Sequence, residues 1–262
     1  MTNPIRTQIV VPMAGLGSRF VDAGYQLPKP LIPVAGVPMV VRAVGDLPPD
    51  DRVVFVCHPE HLSQHRIDQE LRRHVPGCRI VVAPGLTEGQ ACTVRLAAEQ
   101  LDGRAPVLVA ACDNTHVYDP AELARLTSDR EVDCLVWTYR RDPRVLVRPE
   151  WYGWVRVDSN GRVEEVSVKK PLSEQRLEDH VVSGCFWFRT AQLMLEAIDQ
   201  LVADNLRVNN EFYMDSVANV LLARGCDVRA FEVDKYIGWG TPADLEDYQR
   251  WQQHFGAVVR AA

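Results

Sequence analysis

The residues best equipped for chemistry fall in a few short stretches. Ala14-Gly15-Leu16-Gly17-Ser18-Arg19-Phe20 follows an apolar run at 9–13. Glycines let the backbone approach an anion closely and aim N–H groups at it. Arg19, two residues beyond Gly17, adds a charge suited to phosphate. Two familiar phosphate loops are excluded. A dinucleotide fingerprint needs a third glycine where Phe20 stands, and a Walker loop needs a lysine where Ser18 stands. By itself the pattern is equally well a tight strand-to-helix turn. Ten residues beyond Arg19, Lys29 lies between Pro28 and Pro30, in a segment with four prolines at 28–38. Proline fixes φ, so the segment is stiff and non-helical. A cation on such a mount suits a polyphosphate, whose charge builds on the leaving group. The alternative is a surface loop with a solvated lysine.

Further candidates lie downstream. Asp113 closes the apolar run 107–112. A carboxylate at the carboxyl end of a strand sits where α/β sheets gather ligands and makes a good magnesium ligand, although Asp113-Asn114 is also turn-prone. Thr87 and Gln90 fit a capping box at the start of a helix, which leaves Gly89 between them unexplained. Lys169-Lys170-Pro171 places two cations at a strand end, facing either a pocket or solvent. His58, His61 and His65 lack the His-Glu-x-x-His pattern and read as an exposed helix start. Trp137, Trp151, Trp154, Trp187 and Trp239 sit mostly in apolar strand contexts, where core packing is the default.

Elements must hold these residues in place. Apolar runs at 9–13, 53–57, 79–83 and 107–111 read as strands, with helices at 60–74 and 89–101 between them. Such alternation predicts a parallel sheet covered on both faces. From about residue 130 strands dominate, at 132–139, 152–157, 162–168 and 181–188, with Ser159-Asn160-Gly161 as a hairpin turn. Helices return at 190–203, 210–224 and 242–254. Nothing resembling a linker separates the halves, so residues 1–262 read as one α/β domain.

The 262 residues carry 47% hydrophobic and 24% charged residues, which excludes a disordered chain. A net charge of −6 argues against a general nucleic-acid binder. Seven cysteines, without a CxxC pair and set in apolar runs, read as buried thiols of a reducing cytoplasm. No apolar run reaches the ~18 residues of a membrane span, and residues 1–8 lack the pattern of a signal peptide. A homo-oligomer is compatible with all of this.

Gly15-Leu16-Gly17-Ser18-Arg19, followed by Pro28-Lys29-Pro30-Leu31-Ile32-Pro33-Val34 and Gly36-Val37-Pro38-Met39, resembles the signature of the sugar-phosphate nucleotidyltransferases, the nucleoside-diphosphate-sugar pyrophosphorylases. Further matches are Thr87-Glu88-Gly89, Asp113, Lys169-Lys170-Pro171, Gly184 and Gly240-Thr241-Pro242-Ala243-Asp244-Leu245. The resemblance implies a three-layer α/β/α, GT-A-like or Rossmann-like domain with a mostly parallel mixed sheet. Its nucleotide part would lie at about 1–130 and its acceptor part at about 131–262. It implies that an NTP and a phosphorylated small molecule become NDP-X and pyrophosphate with Mg2+, as in NDP-sugar supply for cell-surface polysaccharide. It implies that Ala14, Gly15 and Gly17 wrap the nucleotide and that Gly89 lies near base and ribose. Arg19 would hold the departing phosphates, Lys29 the reacting ones, Asp113 the metal and Lys170 the acceptor phosphate. Gly184 would line the acceptor side, where Tyr152 or Trp154 would shape the pocket.

Two departures stand out. Lys169 replaces a carboxylate that commonly binds acceptor hydroxyls in the family, and Gly238 replaces an aspartate that supplies a second metal ligand. Lys169 facing the pocket would favour an acidic acceptor or a non-sugar phosphate. The alternatives are therefore a cytidylyltransferase acting on a non-sugar phosphate, or a catalytically silent nucleotide-binding regulator. A glycosyltransferase of similar fold is disfavoured, because Cys112-Asp113-Asn114-Thr115 lacks an Asp-x-Asp motif.

Overall fold

The computed structural model describes residues 7–48 and 52–261, with side chains as far as residue 255. The leader-segment expectation falls mainly on residues 1–6, outside the described residues. The first half runs β1 (Gln8–Met13), α1 (Ser18–Asp22), β2 (Pro33–Val34), β3 (Val37–Pro38), α2 (Met39–Gly45), β4 (Val53–Cys57), α3 (Pro59–Ser63), α4 (Ile67–His74), β5 (Arg79–Val82), α5 (Gln90–Arg95), β6 (Val107–Val109), β7 (Asn114–Val117) and α6 (Pro120–Ser128). The second runs β8 (Cys134–Tyr139), β9 (Gly153–Val157), β10 (Val163–Val168), β11 (His180–Phe188), α7 (Ala191–Ala203), α8 (Met214–Ala223), β12 (Val228–Glu232), β13 (Lys235–Gly238) and α9 (Pro242–Ala261).

β5, β4, β1 and β6 lie side by side in parallel. β11 runs antiparallel to β6 and on its far side pairs with both β8 and β9, completing a nine-stranded mixed sheet with β10 and β12. Neighbouring residues feed opposite cores: Val10 and Val54 face one, Ile9, Val11 and Phe55 the other. Strands with both faces buried need no polar side, hence continuous apolar runs instead of alternation. α5, α7 and α8 cover one face; α2, α4 and α6 contribute to the core on the other. The three-layer α/β/α expectation therefore holds.

A third apolar cluster joins Phe20 of α1 and Ile32, Val34 and Met39 of the proline segment to Trp239 and Leu245 from the C-terminal part. It brings the end of the chain back over the glycine loop.

Several local expectations change. The 60–74 helix breaks at Arg66, whose φ is +48°, into α3 and α4. His58 and His61 are buried instead of exposed. His58 Nδ1 accepts the Glu60 N–H at 3.3 Å and caps α3, while burial, reinforced by His58 and His65, pushes His61 down to about 4. The 89–101 helix ends at Arg95 and continues as a 3-10 turn at Ala98–Gln100. The strand at 107–111 ends at Val109. The β9–β10 hairpin turns as expected: Asp158 accepts the N–H groups of Asn160 and Arg162 at 2.8 and 2.9 Å, and Gly161 has φ +78°. All seven cysteines are unpaired; Cys57, Cys134 and Cys185 are buried and the other four are half-buried. Among the described residues no helix is long and apolar enough to cross a membrane.

Candidate active site

Chain geometry accounts for the glycine-loop residues one by one. Ala14 is buried at the end of β1, and Gly15 is exposed, with open space where a Cβ would stand. Gly17 takes φ +62° ahead of α1, and a Cβ there would lie 3.0 Å from Lys29 Cβ. Glycine at 17 thus allows the loop to lie against the proline segment. Lys29 opens a 3-10 turn, Lys29–Leu31, and its ammonium pairs with Asp113 Oδ2. Burial disfavours the charged lysine, but Asp113, seconded by Cys112, outweighs it and raises the Lys29 pKa above the ordinary lysine range. Arg19 stacks on Trp151, its guanidinium carbon 4.2 Å from the ring centroid.

Asp113 is set by the returning C-terminal segment. β7 pairs with β13, placing Asn114 opposite Gly238. The Trp239 N–H donates to the Asp113 carbonyl at 2.7 Å, and a Cβ on Gly240 would come within 3.1 Å of Asp113 Oδ2. Thr241 caps α9: its Oγ1 accepts the Asp244 N–H at 3.2 Å and donates to Asp244 Oδ2 at 2.6 Å. The Gly240–Leu245 motif is thus a tight lid on Asp113 followed by a capped helix.

An open cleft of about 280 Å³ begins at Asp113 and Arg19 and extends over the second half of the chain. β11 opens its floor by breaking register with β8 between Val182 and Phe186, where Gly184 has φ +91°. One wall carries Gly153, Lys169, Tyr213 and Asp215; another carries Tyr236, Arg144 and Asp244. Lys169 lines the cleft at φ +63° and donates to the Trp151 carbonyl, with its ammonium 5.4 Å from the Tyr213 ring centroid. Burial lowers its pKa, with Asp215 opposing. Lys170 is exposed and outside the cleft lining, so of the lysine pair it is Lys169 that reaches the site.

Gly89 also lies outside the lining, where its neighbour Gln90 takes part. Gly89 has φ +127°, and a Cβ would stand 2.5 Å from the Phe212 nitrogen. That approach is locked by Phe212 N–H to Glu88 carbonyl at 2.8 Å and Ala91 N–H to Phe212 carbonyl at 3.0 Å. Packing alone requires glycine here.

At Gly238 the Tyr236 ring stands within 2.8 Å of where a Cβ would be, filling the space of a side chain. Tyr236 stacks on Tyr139 at 4.3 Å, and burial, with Asp113 adding to it, pushes its phenol well above the ordinary range, so it stays neutral.

Trp137, Trp154, Trp187 and Trp239 are buried, as core packing predicts, but Trp151 is exposed at the cleft rim. Of the two candidates to shape the acceptor side, Tyr152 lines the cleft and Trp154 does not. Sequence reasoning passed over Asn114, Gly153 and Tyr213 as cleft residues, and singled out Asp215 only beside Asp234 and Glu211 as a carboxylate that could replace the metal ligand missing at Gly238. Of the first three only Gly153 left a signal, since a lone glycine within a strand pattern marks a close approach.

A doubly covered sheet whose carboxyl edge bears a glycine loop, a lysine–carboxylate pair and an open polar cleft is of the α/β nucleotide-handling class. Comparison with known proteins narrows this. Residues 9–207 match the MobA-like NTP transferase domain. The bifunctional protein GlmU of Trichlorobacter lovleyi is 28% identical over 236 residues, covering 86% of this chain and 47% of that protein. The chain spans about half the length of the GlmU relatives it matches. Two solved structures share the fold. A nucleoside-diphosphate-sugar pyrophosphorylase from Vibrio cholerae has a TM-score of 0.73 at 20% identity, covering 93% of this chain and 100% of that one. An inositol-1-phosphate CTP transferase from T. maritima has a TM-score of 0.70 at 16% identity, covering 95% and 96%. The chain belongs to the MobA-like NTP transferase domain family.

Proposed function

We propose that the chain transfers the nucleotidyl group of an NTP to the phosphate of a sugar 1-phosphate or related polyol phosphate and releases pyrophosphate. The observation that carries this is the Lys29–Asp113 pair, held at the carboxyl edge of the parallel strands where the glycine loop and the cleft meet. The acceptor phosphate already bears an anionic oxygen, so no protein nucleophile is needed. That oxygen attacks the α-phosphorus, the bond from the α-phosphorus to the α–β bridging oxygen breaks, and pyrophosphate departs with the bonding pair. The protein's task is to align two anions against their repulsion and to stabilise the charge growing on the leaving group. Arg19 and Lys29 supply fixed positive charge for that group. Ala14, Gly15 and Gly17 offer backbone to the nucleotide, while Gly184 shapes the floor on the acceptor side.

The donor set fits a magnesium ion that arrives with the nucleotide. Among the described residues no group of three His, Cys, Asp or Glu side chains is arranged to hold a metal. Gly238 offers no carboxylate, and Lys29 occupies one oxygen of Asp113. Magnesium binds through one or two carboxylates, with phosphates and waters completing its shell, so the second Asp113 oxygen suffices. Bound there, it would offset charge on the phosphates. The test is a matrix of NTPs against phosphorylated sugars, inositol 1-phosphate and phosphocholine, with and without Mg2+, read by pyrophosphate release. Release that requires both substrates supports the proposal; release from NTP alone, or none with any pair, contradicts it.

A further inference from the structure

Among the described residues three carboxylates face the cleft, and two are engaged. Asp113 pairs with Lys29, and Asp244 accepts from Thr241 at 2.6 Å and lies 3.5 Å from Arg144. Asp215 differs. At the start of α8, it makes no hydrogen bond to another described residue's side chain and no ion pair; its one hydrogen-bond partner is its own backbone N–H. Lys169 faces it, but the ammonium donates to the Trp151 carbonyl instead. Asp215 sits where it does because position 153 is glycine: a Cβ there would overlap Asp215 Oδ1. The missing side chain makes a seat for a carboxylate.

Across the β11 bulge the same pattern recurs. Asn114 is buried, and its Nδ2 donates to the Ser183 carbonyl at 2.9 Å, which fixes the amide orientation because a carbonyl can only accept. Asn114 Oδ1 is thereby left without a partner while its residue lines the cleft. Buried polar atoms are rarely left unpaired, since each costs about 1–3 kcal/mol. The cleft thus presents one charged acceptor, Asp215, and holds behind its lining a buried amide oxygen, Asn114 Oδ1, that lacks a donor.

We infer that Asp215, seated over Gly153, together with Asn114 Oδ1, selects the acceptor by its hydroxyl groups. The inference rests on the nucleotidyl-transfer reading of the same cleft. Such a site requires an acceptor that brings O–H donors at separated positions: a polyhydroxylated ring phosphate, not an alkylammonium phosphate or one with a second acidic group beside Asp215. It replaces the acidic acceptor expected from Lys169 alone, because Asp215 faces that lysine and the Trp151 carbonyl holds its ammonium. Both residues act in specificity; neither touches the reacting phosphates.

The test compares wild type with Asp215→Asn and Asp215→Ala, using the best hydroxylated acceptor from a set of sugar 1-phosphates and inositol 1-phosphate, its single-deoxy analogues, and phosphocholine. Wild type should turn over the hydroxylated acceptor and not phosphocholine. Both variants should raise the acceptor KM about tenfold or more, with kcat and the NTP KM within about twofold. One deoxy analogue that is poor with wild type should be no poorer than its parent with Asp215→Ala, a result a merely structural role would not give. Gly153→Ala, which displaces the carboxylate, should reproduce the KM effect; Asp215→Asn, nearly isosteric, keeps the test valid if that variant fails to fold. Turnover by wild type with an unchanged acceptor KM in both Asp215 variants would overturn the inference and leave the reaction standing. Pyrophosphate release from none of the hydroxylated phosphates would overturn the reaction, and the inference with it.

Discussion

The two ends of the cleft are built by different means. At the phosphate end the glycine loop follows β1, Asp113 follows β6, and the proline segment connects α1 to α2. They meet through the Lys29–Asp113 ion pair and the close approach of Lys29 to the Gly17 backbone. At the acceptor end, Gly153, Lys169, Ser183 and Asp215 come from three strands or strand ends and a helix start, joined by a register break and two positive-φ residues. The first arrangement joins short, self-contained motifs; the second is assembled from single residues of four separate elements. Variants at the phosphate end should therefore act on kcat, and variants at the acceptor end on acceptor KM.

The largest effect is expected at the centre of the phosphate end. Asp113→Asn removes the partner of Lys29 and the carboxylate offered to magnesium, so kcat should fall about a thousandfold. Circular dichroism and melting temperature should stay close to wild type. A loss below tenfold would remove Asp113 from the reacting site. Next comes a stability effect joining the two ends. Gly89→Ala drives a methyl into the Phe212 backbone from a positive-φ position, and should cost about 3 kcal/mol, lowering the melting temperature by about 10 °C. An unchanged melting curve would show that the segment ahead of α8 yields freely.

Arg19→Ala should lower kcat about thirtyfold, with the acceptor KM nearly unchanged, because its partner is the leaving group. If only the acceptor KM moves, Arg19 serves the other end, where its stacking on Trp151 already leans. The smallest effect separates the two lysines. Lys170→Ala should change every kinetic constant by less than about twofold, as expected of an exposed side chain. A tenfold rise in acceptor KM would restore the phosphate-gripping role that the motif implies for it.

The contrast also explains what could be read in advance. Apolar runs located eight of the nine strands of the main sheet, all but β12, because burial on both faces is written in composition. The glycine loop, Lys29 and Asp113 were legible because each sits in a short motif of distinctive composition, although Lys29 and Asp113 lie 84 positions apart in the chain. Asp215 was legible only as one of three nearby carboxylates, not by its seat: an acid in the first turn of a helix is ordinary, and nothing local shows that a glycine sixty-two positions earlier makes room for it. β7 and β13 were missed because Asn114 to Val117 is polar and Lys235 to Gly238 is short, and each is a strand only through the other. His61 was misjudged because helical spacing does not say which face is covered; its burial depends on the packing of α3.

The central claim, nucleotidyl transfer rather than phosphate transfer or hydrolysis, is tested most directly by following label from NTP. With an NTP labelled at the α-phosphorus and a sugar or inositol phosphate acceptor, the label should appear in a nucleoside-diphosphate-linked product. With label at the γ-phosphorus, it should appear only in pyrophosphate. Label from the γ-position in orthophosphate or on the acceptor, with none from the α-position in a linked product, would contradict the account.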